Sequence, residues 1–508
     1  MRNRIMTFEI IRKFSFTACL LALVSLLSVA CDWNQFGNGP TNPHNSSFAG
    51  PSMGISFQRN LMHPMGSVNH RLEAGVTSDK HGSLYMTSYD RYISAYSPLG
   101  ALAGSYDLGV SGPRAVPFIE SKRSNAKHAM IFTGAEGGGF YAIDVNKTSL
   151  LSYALTLADV DMTFGASESS PKQAQDGTFY IADKMGEVRR YQFSGGMLTL
   201  LGTHALSEPV TGAIALYDLD PGSPGEEVLV ATTSGNLYVL NSSLTGRLWM
   251  NADGAATVDQ YYAGVTVAER GSVAPIAILP VANRAMSGSA LNSGIVRAIN
   301  LQTQNTEWII HPSQSVIGSD FIEGSVALLY PQQVPTSNPN ANPGGGGVVV
   351  DDPNGGISTG GGLTTVAGDI SINLGGGGVV VNPNDDTITT GGDDPNVNNV
   401  NLITVYHATF ASSDRFLYGI DLIAGNEVWH AQLADSVWDA PVVDRDNIIY
   451  VGDGQSNLYA FEGKAPMHGA LFWFDNRIGG GLTDIVKLGI HGQNELLVGA
   501  GNRGYRFR

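Results

Sequence analysis

The chain has 508 residues, a formal net charge of −16 and 63 glycines, and only 15% of its residues are charged. This length suits several domains or one large β architecture, and many glycines with few charges favour short strands joined by tight turns over helices. The acidic composition argues against binding nucleic acid or anionic lipid by charge, and it favours solubility.

Residues 1–30 are predicted to be an export signal. Four basic residues precede the apolar run FTACLLALVSLLSVA, which is too short for a stable membrane span. The segment resembles a bacterial lipoprotein signal, which implies that Cys31 carries a multi-chain lipid anchor. Ser28 stands where such signals usually have Leu, so the alternative is ordinary cleavage of a secreted protein. Because Cys19 leaves with the signal, the mature chain has one cysteine and no internal disulfide. We expect an exported protein of the cell envelope, held in the periplasm or at the outer membrane.

A strand motif recurs along the rest of the chain. The motif of alternating apolar residues, as in NLYVLN, ends at Tyr96, Ile143, Tyr191, Leu240, Ile299, Ile420, Phe461 and Phe507. The steps between these positions are 41–59 residues, apart from one of 121 that becomes 54 when residues 334–400 are removed. The spacing therefore predicts eight units.

Each unit reads as four strands. Residues 211–249 supply GAIALYD, EVLVATT, LYVLN and the start RLW of a fourth strand, separated by turn residues. Aromatic residues recur on the fourth strand, at Tyr106, Tyr153, Trp249, Trp308, Trp429 and Trp473. Prolines recur at the start of the first strand, at Pro117, Pro171, Pro209, Pro275 and Pro441, where no ladder hydrogen bond is required.

A single sheet of this size cannot bury both its faces, but sheets stacked around an axis can. The sequence therefore predicts an all-β fold, an eight-bladed β-propeller of four-stranded antiparallel blades with the fourth-strand aromatics between blades. The chain ends on a third strand, and GISFQRNL at residues 54–61 resembles a lone fourth strand. We expect this N-terminal strand to close the ring and remove an open edge. The propeller then spans residues 54–333 and 401–508, preceded by a tether over 31–53.

Residues 334–400 form a low-complexity insert. They contain GGGGVVVDDPNGGISTGGG and, 31 residues later, GGGGVVVNPNDDTITTGGD, with seven Asp and no Lys or Arg. This composition cannot support a core of its own, which predicts a disordered or weakly β-structured loop before the second strand of the sixth unit. The alternative is a tether or an adhesive segment.

Units such as NIIYVGDGQSNLYAFEG and FLYGIDLIAGNEVW resemble the repeat of pyrroloquinoline-quinone (PQQ)-type propellers. The start DWNQFGNGPTNPHNSSF is similar to the Trp-containing start of many of them. The resemblance covers nearly all of residues 32–333 and 401–508. It implies the fold rather than one function, because a single fold supports many functions.

Two motifs of enzymes occur in positions where they carry no chemistry. Gly356–Gly360 matches G-x-S-x-G but lies in the insert, without a strand, turn and helix around it. Gly499–Gly504 matches the dinucleotide fingerprint, but only four residues follow, so no helix N-terminus exists and a turn between strands is predicted. The 11 histidines show no zinc-ligand spacing.

The loop DLDPGSPGEE is the one candidate metal site. Asp218, Asp220 and Glu226 supply carboxylate oxygens around a turn, as a calcium ion requires. The alternative is an acidic turn between strands that binds no metal.

The repeat also resembles that of PQQ-dependent alcohol dehydrogenases. That resemblance would imply a disulfide of adjacent cysteines, a calcium ion, an Asp base and a Trp beneath the cofactor. The mature chain cannot form the disulfide, and no ligand set or base matches. Trp438 and Asp439 could face the central axis, and the alternative is a packed Trp at the start of a blade. We therefore predict no catalytic residue, no bound PQQ and no enzyme activity.

The same fold and anchor resemble outer-membrane assembly lipoproteins of the BamB type. This resemblance implies a non-enzymatic, membrane-anchored scaffold whose partners are other envelope proteins, among them barrel-assembly components. Two alternatives stay open, namely a quinone-dependent dehydrogenase and a surface adhesin or sugar-binding propeller.

Overall fold

The structure is a computed structural model. It describes residues 38, 40–51, 57–62, 76–88, 91–112, 115–121, 127–222, 224–252, 264–281, 294–313, 322, 324–335, 364–366, 369–373, 378–381, 388–390, 402–455, 457–464, 468–476, 486–490, 495–500 and 503–507. The predicted signal, Cys31 and the Gly356–Gly360 motif lie outside these residues.

Eight four-stranded antiparallel sheets form the blades of a propeller. Blade 1 comprises β2 (Val76–Ser78), β3 (Leu84–Thr87), β4 (Tyr92–Tyr96) and β5 (Leu102–Asp107). Blade 2 comprises β6 (Phe118–Ser121), β7 (His128–Gly134), β8 (Phe140–Ser149) and β9 (Ser152–Asp161). Blade 3 comprises β10 (Lys172–Gln173), β11 (Phe179–Ala182), β12 (Glu187–Ser194) and β13 (Met197–Ala205). Blade 4 comprises β14 (Ala215–Tyr217), β15 (Glu227–Ala231), β16 (Leu237–Leu240) and β17 (Arg247–Asn251).

The remaining blades repeat this order. Blade 5 comprises β18 (Thr266–Arg270), β19 (Val273–Val281), β20 (Ile295–Asn300) and β21 (Thr306–Ile310). Blade 6 comprises β22 (Ala327–Leu328), β29 (His407–Ala411), β30 (Phe416–Asp421) and β31 (Asn426–Gln432). Blade 7 comprises β32 (Val442–Val443), β33 (Ile448–Gly452), β34 (Leu458–Glu462) and β35 (Leu471–Asp475). Blade 8 comprises β36 (Val486–Ile490), β37 (Leu496–Ala500), β38 (Arg503–Phe507) and, from the N-terminal side, β1 (Phe57–Met62).

The N-terminal strand closes the ring, as predicted. β1 pairs with β38 from Phe57 opposite Phe507 to Met62 opposite Arg503. The described strand Phe57–Met62 overlaps the predicted 54–61. Gly499 pairs with Gly504 and Ala500 with Arg503, so the ends of the Gly499–Gly504 motif lie on two paired antiparallel strands.

A β-bulge recurs at the same position in every blade, between the third and fourth strands. The register shifts at Ala95/Tyr96, Ala142/Ile143, Arg190/Tyr191, Val239/Leu240, Ala298/Ile299, Gly419/Ile420 and Ala460/Phe461 in blades 1–7, and at Phe57/Arg59, opposite Phe507 and Arg506, in blade 8. Each shift coincides with an end of the predicted motif. The eight sequence repeats are therefore eight geometric repeats, and bulges of this kind bend and twist a strand.

The hydrophobic core lies in layers between neighbouring blades. One cluster joins Leu229 of blade 4 to Ala277 of blade 5, and corresponding clusters join the other neighbouring blades from blade 1 to blade 8. The predicted fourth-strand aromatics all lie on outer strands and pack against these layers, at Tyr106, Tyr153, Trp249, Trp308, Trp429 and Trp473. Burial of these large side chains supplies hydrophobic contact that one blade alone lacks.

One predicted strand start is wrong. Pro275 lies in β19, the second strand of blade 5, rather than at the start of a first strand. The pairing of β18 with β19 shifts between Ala268 and Arg270, and Pro275 falls in that bulge, where a residue without an N–H is tolerated. Pro117, Pro171 and Pro441 do directly precede first strands; Pro209 lies six residues before β14.

A second compact unit spans Pro331–Val405, between the first and second strands of blade 6. It contains the pair β23 (Gln332–Pro335) and β28 (Leu402–Val405). It also contains a sheet of β24 (Thr364–Val366), β25 (Asp369–Asn373), β26 (Gly378–Val381) and β27 (Ile388–Thr390) in sequential order. The unit matches the predicted insert at 334–400 to within a few residues, and its described elements are β-strands. In the described part of the chain, no helix has the length and apolar character needed to cross a membrane.

Candidate functional site

Residues 40–51, called the axial segment below, lie on the innermost strands of four successive blades. Four of its backbone carbonyls accept hydrogen bonds from strand N–H groups: Pro40 from Leu216 (2.9 Å), Thr41 from Val267 (2.9 Å), Pro43 from Leu328 (2.8 Å) and His44 from Val443 (2.9 Å). The four donors belong to β14, β18, β22 and β32, the first strands of blades 4–7. The segment thus satisfies groups that an edge strand otherwise leaves unpaired.

The four donors occupy equivalent positions in their blades. Leu216 pairs with Val228 and, through it, with Leu240, the motif end of blade 4. Val267, Leu328 and Val443 pair in the same way, through the second strand, with the motif ends of blades 5, 6 and 7. The axial segment therefore contacts one row of the pseudo-symmetric ring, one blade after another.

Asn42 anchors the axial segment between blades 4 and 5. The Nδ2 group of its fully buried side chain donates to the carbonyls of Ile214 (2.9 Å) and Val265 (2.7 Å), and the Asn42 backbone carbonyl accepts from Thr266 Oγ1 (3.2 Å). Asn42 and His44 have φ of 55° and 49°, in the left-handed region that Asn and His tolerate better than most residues. These two turns let carbonyls of successive residues reach successive blades.

The axial segment then crosses blade 7 toward blade 8. Ser46 N donates to Val443 O (2.8 Å), Gly50 N donates to Asp444 Oδ2 (2.7 Å), and Pro51 O accepts from Trp473 Nε1 (3.0 Å). The sequence predicts a tether over residues 31–53. Residues 40–51 of that range are packed into the propeller instead, because the inner strands offer them a complete row of backbone donors.

Three buried aspartates organise turns in blades 1 and 7. Oδ1 of each accepts two backbone N–H groups, and Oδ2 accepts the hydroxyl of the Tyr six residues later: Asp79 with Tyr85 (2.8 Å), Asp444 with Tyr450 (3.1 Å) and Asp453 with Tyr459 (2.8 Å). Burial raises the pKa of all three Tyr hydroxyls. The recurring D-x5-Y pattern is visible in the sequence as DKHGSLY, DRDNIIY and DGQSNLY, and it was not part of the predicted repeat.

Buried basic side chains link neighbouring blades, through ion pairs or through a backbone carbonyl. Lys147 of blade 2 pairs with Asp79 of blade 1. Arg189 of blade 3 pairs with Asp161 of blade 2 at 2.9 Å. Arg270 donates to both Glu307 carboxylate oxygens and to the carbonyl of Leu422 in blade 6. Since these charges are paired and hydrogen-bonded, they read as structural links rather than as groups poised for catalysis.

The predicted calcium ligands do not form a common site. Asp218 and Asp220 are exposed, and Asp220 Oδ1 accepts from Gly222 N in its own turn. Glu226 is buried and accepts from Gln175 N (2.8 Å), and burial raises its pKa. Across the described residues, no three His, Cys, Asp or Glu side chains come together as a metal-binding group. The geometry therefore adds no support to the calcium hypothesis.

Trp438 and Asp439 are half-buried at the start of blade 7. The Trp438 indole nitrogen lies beside Gly454, and the Asp439 backbone lies against Gly324 of blade 6. Among the described residues, no group of three His, Cys, Asp or Glu side chains forms beside them. Neither residue is thereby assigned to a calcium–quinone group.

The outer strand of blade 7 exposes an apolar edge. Leu471 is 56% exposed, Phe472 48% and Phe474 47%, while Asp475, its only charged residue, is buried. β35 is the last strand of its sheet, and Phe472 occupies its bulge. Charged residues lie on most other outer strands, as in β5, β9, β17, β21 and β31. The outer strand β13 has no Asp, Glu, Lys or Arg. Such charges normally protect open edges from pairing with other chains.

No protein-family model and no curated protein matches the sequence. Solved structures share its fold. BamB from Moraxella catarrhalis matches with a TM-score of 0.50 and 10% identity, over 90% of this chain and 100% of that chain. The quinohemoprotein alcohol dehydrogenase from Comamonas testosteroni matches with a TM-score of 0.53 and 10% identity, and the dehydrogenase ADHIIG from Pseudomonas putida HK5 with 0.53 and 11%. Each covers 94% of this chain and 80% of its own. These neighbours are PQQ-like β-propellers, which confirms the predicted fold and, at such low identity, the fold alone.

Proposed function

We propose that this protein is a non-enzymatic scaffold of the cell envelope that binds partner proteins through the outer edge of blade 7. The observation that carries the proposal is β35, an outer strand that exposes two Phe side chains and a Leu and no charge, whereas β13, which also lacks charge, exposes no aromatic side chain. The partner would be an extended segment or edge strand of another envelope protein, and barrel-assembly components are the first candidates.

The chemistry of β35 suits strand addition. An incoming strand gains main-chain hydrogen bonds along the open edge, and side-chain contacts give it specificity. Leu471, Phe472 and Phe474 supply those contacts, and the Phe474 ring is held in place by Tyr459, with ring centroids 5.1 Å apart. Large aromatic side chains in contact with a partner contribute more to binding than most other residues do.

The predicted signal before Cys31 bears on the cellular location. The lipoprotein-like signal before Cys31 supports export and anchoring, and the resemblance to BamB-type assembly lipoproteins agrees with the shared fold.

The test is a crosslinked pull-down of the tagged full-length protein from native membranes, read by mass spectrometry. We compare the wild type with Phe472→Lys, and use Leu248→Lys as the matched control, since Leu248 is a similarly exposed residue on the outer strand of blade 4. We expect one or more barrel-assembly proteins to be recovered with the wild type and the control, and to be lost with Phe472→Lys. Equal recovery with all three proteins, or bound quinone in the purified protein, would overturn the proposal.

A further inference from the structure

We infer that the inner strands of blades 4–7 form a binding site for an extended peptide, and that the axial segment occupies this site as an internal ligand. The segment would then be separable from the ring without loss of the propeller fold. This inference concerns the inside of the ring and is independent of the proposed function of blade 7.

The first argument is the type of contact. The axial segment is recognised by its backbone, through four carbonyls that each accept one N–H from one blade at 2.8–2.9 Å. A sheet edge binds added strands through the same groups. Here the segment crosses the edges of four sheets in turn, and it also forms a parallel bridge between Asn45 and Val443. A site made of repeated backbone donors accepts any extended segment whose carbonyls match the blade spacing.

The second argument is specificity, which resides in Asn42. Its amide nitrogen donates to Ile214 O and Val265 O, the carbonyls directly before β14 and β18. Two donors on one planar nitrogen are needed for this bridge, so Asp cannot replace Asn. Pro40 and Pro43 have no N–H to satisfy and are restricted in φ, which lowers the entropic cost of ordering the segment. The preferred ligand is therefore an extended segment with a Pro-x-Asn-Pro core.

The third argument is a close fit at the C-terminal end of the segment. Gly50 packs on the ring of Tyr450, and a Cβ added at Gly50 would overlap that ring. The adjoining contacts with Asp444 and Trp473 hold the chain where it leaves the axis. The site is thus bounded at both ends, by Asn42 near blades 4 and 5 and by Gly50 at blade 7.

The segment covers one part of the ring. Ile119 and Gln173 are the equivalents of Leu216 in blades 2 and 3, because each pairs through the second strand with the motif end of its blade. In the described residues, neither N–H has a hydrogen bond to a segment outside its sheet. Among the described residues, the axial segment therefore contacts this row in four of the eight blades.

The experiment cuts the chain between the axial segment and the ring, so that only non-covalent contacts can hold the segment in place. A protease site is placed between Met53 and Gly54 of the full-length protein, which carries Cys31→Ser so that it is obtained without lipid. After cleavage, gel filtration shows whether the N-terminal fragment stays bound. A fluorescent peptide of residues 38–51 is then titrated against the cleaved protein to displace it.

We expect the fragment to remain bound after cleavage and to be displaced by the peptide. A peptide with Asn42→Ala should bind at least about tenfold more weakly, because two buried hydrogen bonds are lost. A peptide with Ser47→Ala, changed at an exposed residue, should bind like the wild type. Loss of the fragment from a folded ring, unfolding on cleavage, or equal affinity of the Asn42→Ala peptide would each overturn the inference.

Discussion

The buried Asp444 carboxylate makes Tyr450→Phe an informative substitution. Asp444 Oδ1 accepts from Asp446 N and Ile448 N, both at 2.9 Å, and Oδ2 accepts from Gly50 N at 2.7 Å and from the Tyr450 hydroxyl at 3.1 Å. Phe retains the ring that packs near Trp473, with ring centroids 5.9 Å apart, and removes only the hydroxyl. The substitution therefore tests chiefly the hydrogen bond to the buried carboxylate, together with a longer contact of the same hydroxyl with Pro51 O at 3.4 Å.

The expected cost follows from the charge of the acceptor and its burial. A hydrogen bond to a charged group contributes about 1.5–3 kcal/mol to stability, and Asp444 is too buried for water to replace the lost donor. We expect Tyr450→Phe to lower the free energy of unfolding by about 1.5–3 kcal/mol at pH 7. Tyr459→Phe should cost at least as much, because the Tyr459 hydroxyl donates to Asp453 Oδ2 and also accepts from Ala434 N at 3.0 Å.

The pH dependence has a definite sign. Burial raises the pKa of Asp444 in the folded protein, so the ionised carboxylate lowers the free energy of unfolding. This destabilisation disappears as the pH falls below that pKa, because the carboxyl group is then protonated. Loss of the Tyr450 hydroxyl raises this pKa further, so the deficit of Tyr450→Phe should shrink on acidification. Urea unfolding at pH 7 and near pH 4 measures both effects. A deficit under about 0.5 kcal/mol at pH 7, or one that grows toward low pH, would refute the reasoning.

Three further substitutions test packing, charge and titration. Gly419→Ala should destabilise the protein by about 1–3 kcal/mol or more in urea unfolding, because an added Cβ overlaps the Trp429 indole. Glu307→Ala should cost about 3–5 kcal/mol, since it leaves the fully buried Arg270 guanidinium without its carboxylate. Burial lowers the pKa of His468 to about 4, so its contribution to stability is complete above the unfolded value of 6.5 and is lost as pH falls toward 4. We expect that loss to be about 1–3 kcal/mol. It should be reduced in His468→Gln, where the neighbouring His407, whose pKa burial also lowers, still contributes.

The first two of these substitutions have matched controls. Gly246→Ala places a Cβ in nearly open space and should change the free energy of unfolding little. Asp107→Ala removes an exposed carboxylate, whose pair with Arg91 is half exposed, and should cost under about 1 kcal/mol. Equal costs for Gly419→Ala and Gly246→Ala would contradict the assigned contact with Trp429. A cost of Glu307→Ala no larger than that of Asp107→Ala would contradict the buried ion pair. An unchanged loss of stability at low pH in His468→Gln would contradict the role of His468.

The blades were predictable because their signals are local. Alternating apolar residues, turn glycines and a fourth-strand aromatic recur at one spacing, and each predicts the same strand within a few residues. The closing strand β1 was predictable because the last unit lacked a partner. Pro275 misled the prediction, because a proline inside a bulge looks in sequence like one at a strand start.

The axial segment could not be predicted for a physical reason. Its residues PTNPHN have no periodicity and few apolar side chains, and its partners lie up to about 400 positions away, as between Gly50 and Asp444. Most of those contacts join backbone N–H and carbonyl groups, which every residue type except Pro carries in full, so no side-chain pattern marks them in the sequence. The apolar edge of β35 was likewise hidden, because LFWFD reads as any outer strand until its burial and its place at the sheet edge are known.

The central claim is that one N-terminal segment binds the inner strands of four blades as an internal ligand. Hydrogen exchange of the full-length protein, read by mass spectrometry, tests it most directly in the strands that carry Leu216, Val267, Leu328 and Val443. We predict slow exchange in all four strands and faster exchange in all four together in Asn42→Ala, with β6 and β10 unchanged. Exchange that is unaffected by Asn42→Ala, or that changes in one blade only, would contradict the claim.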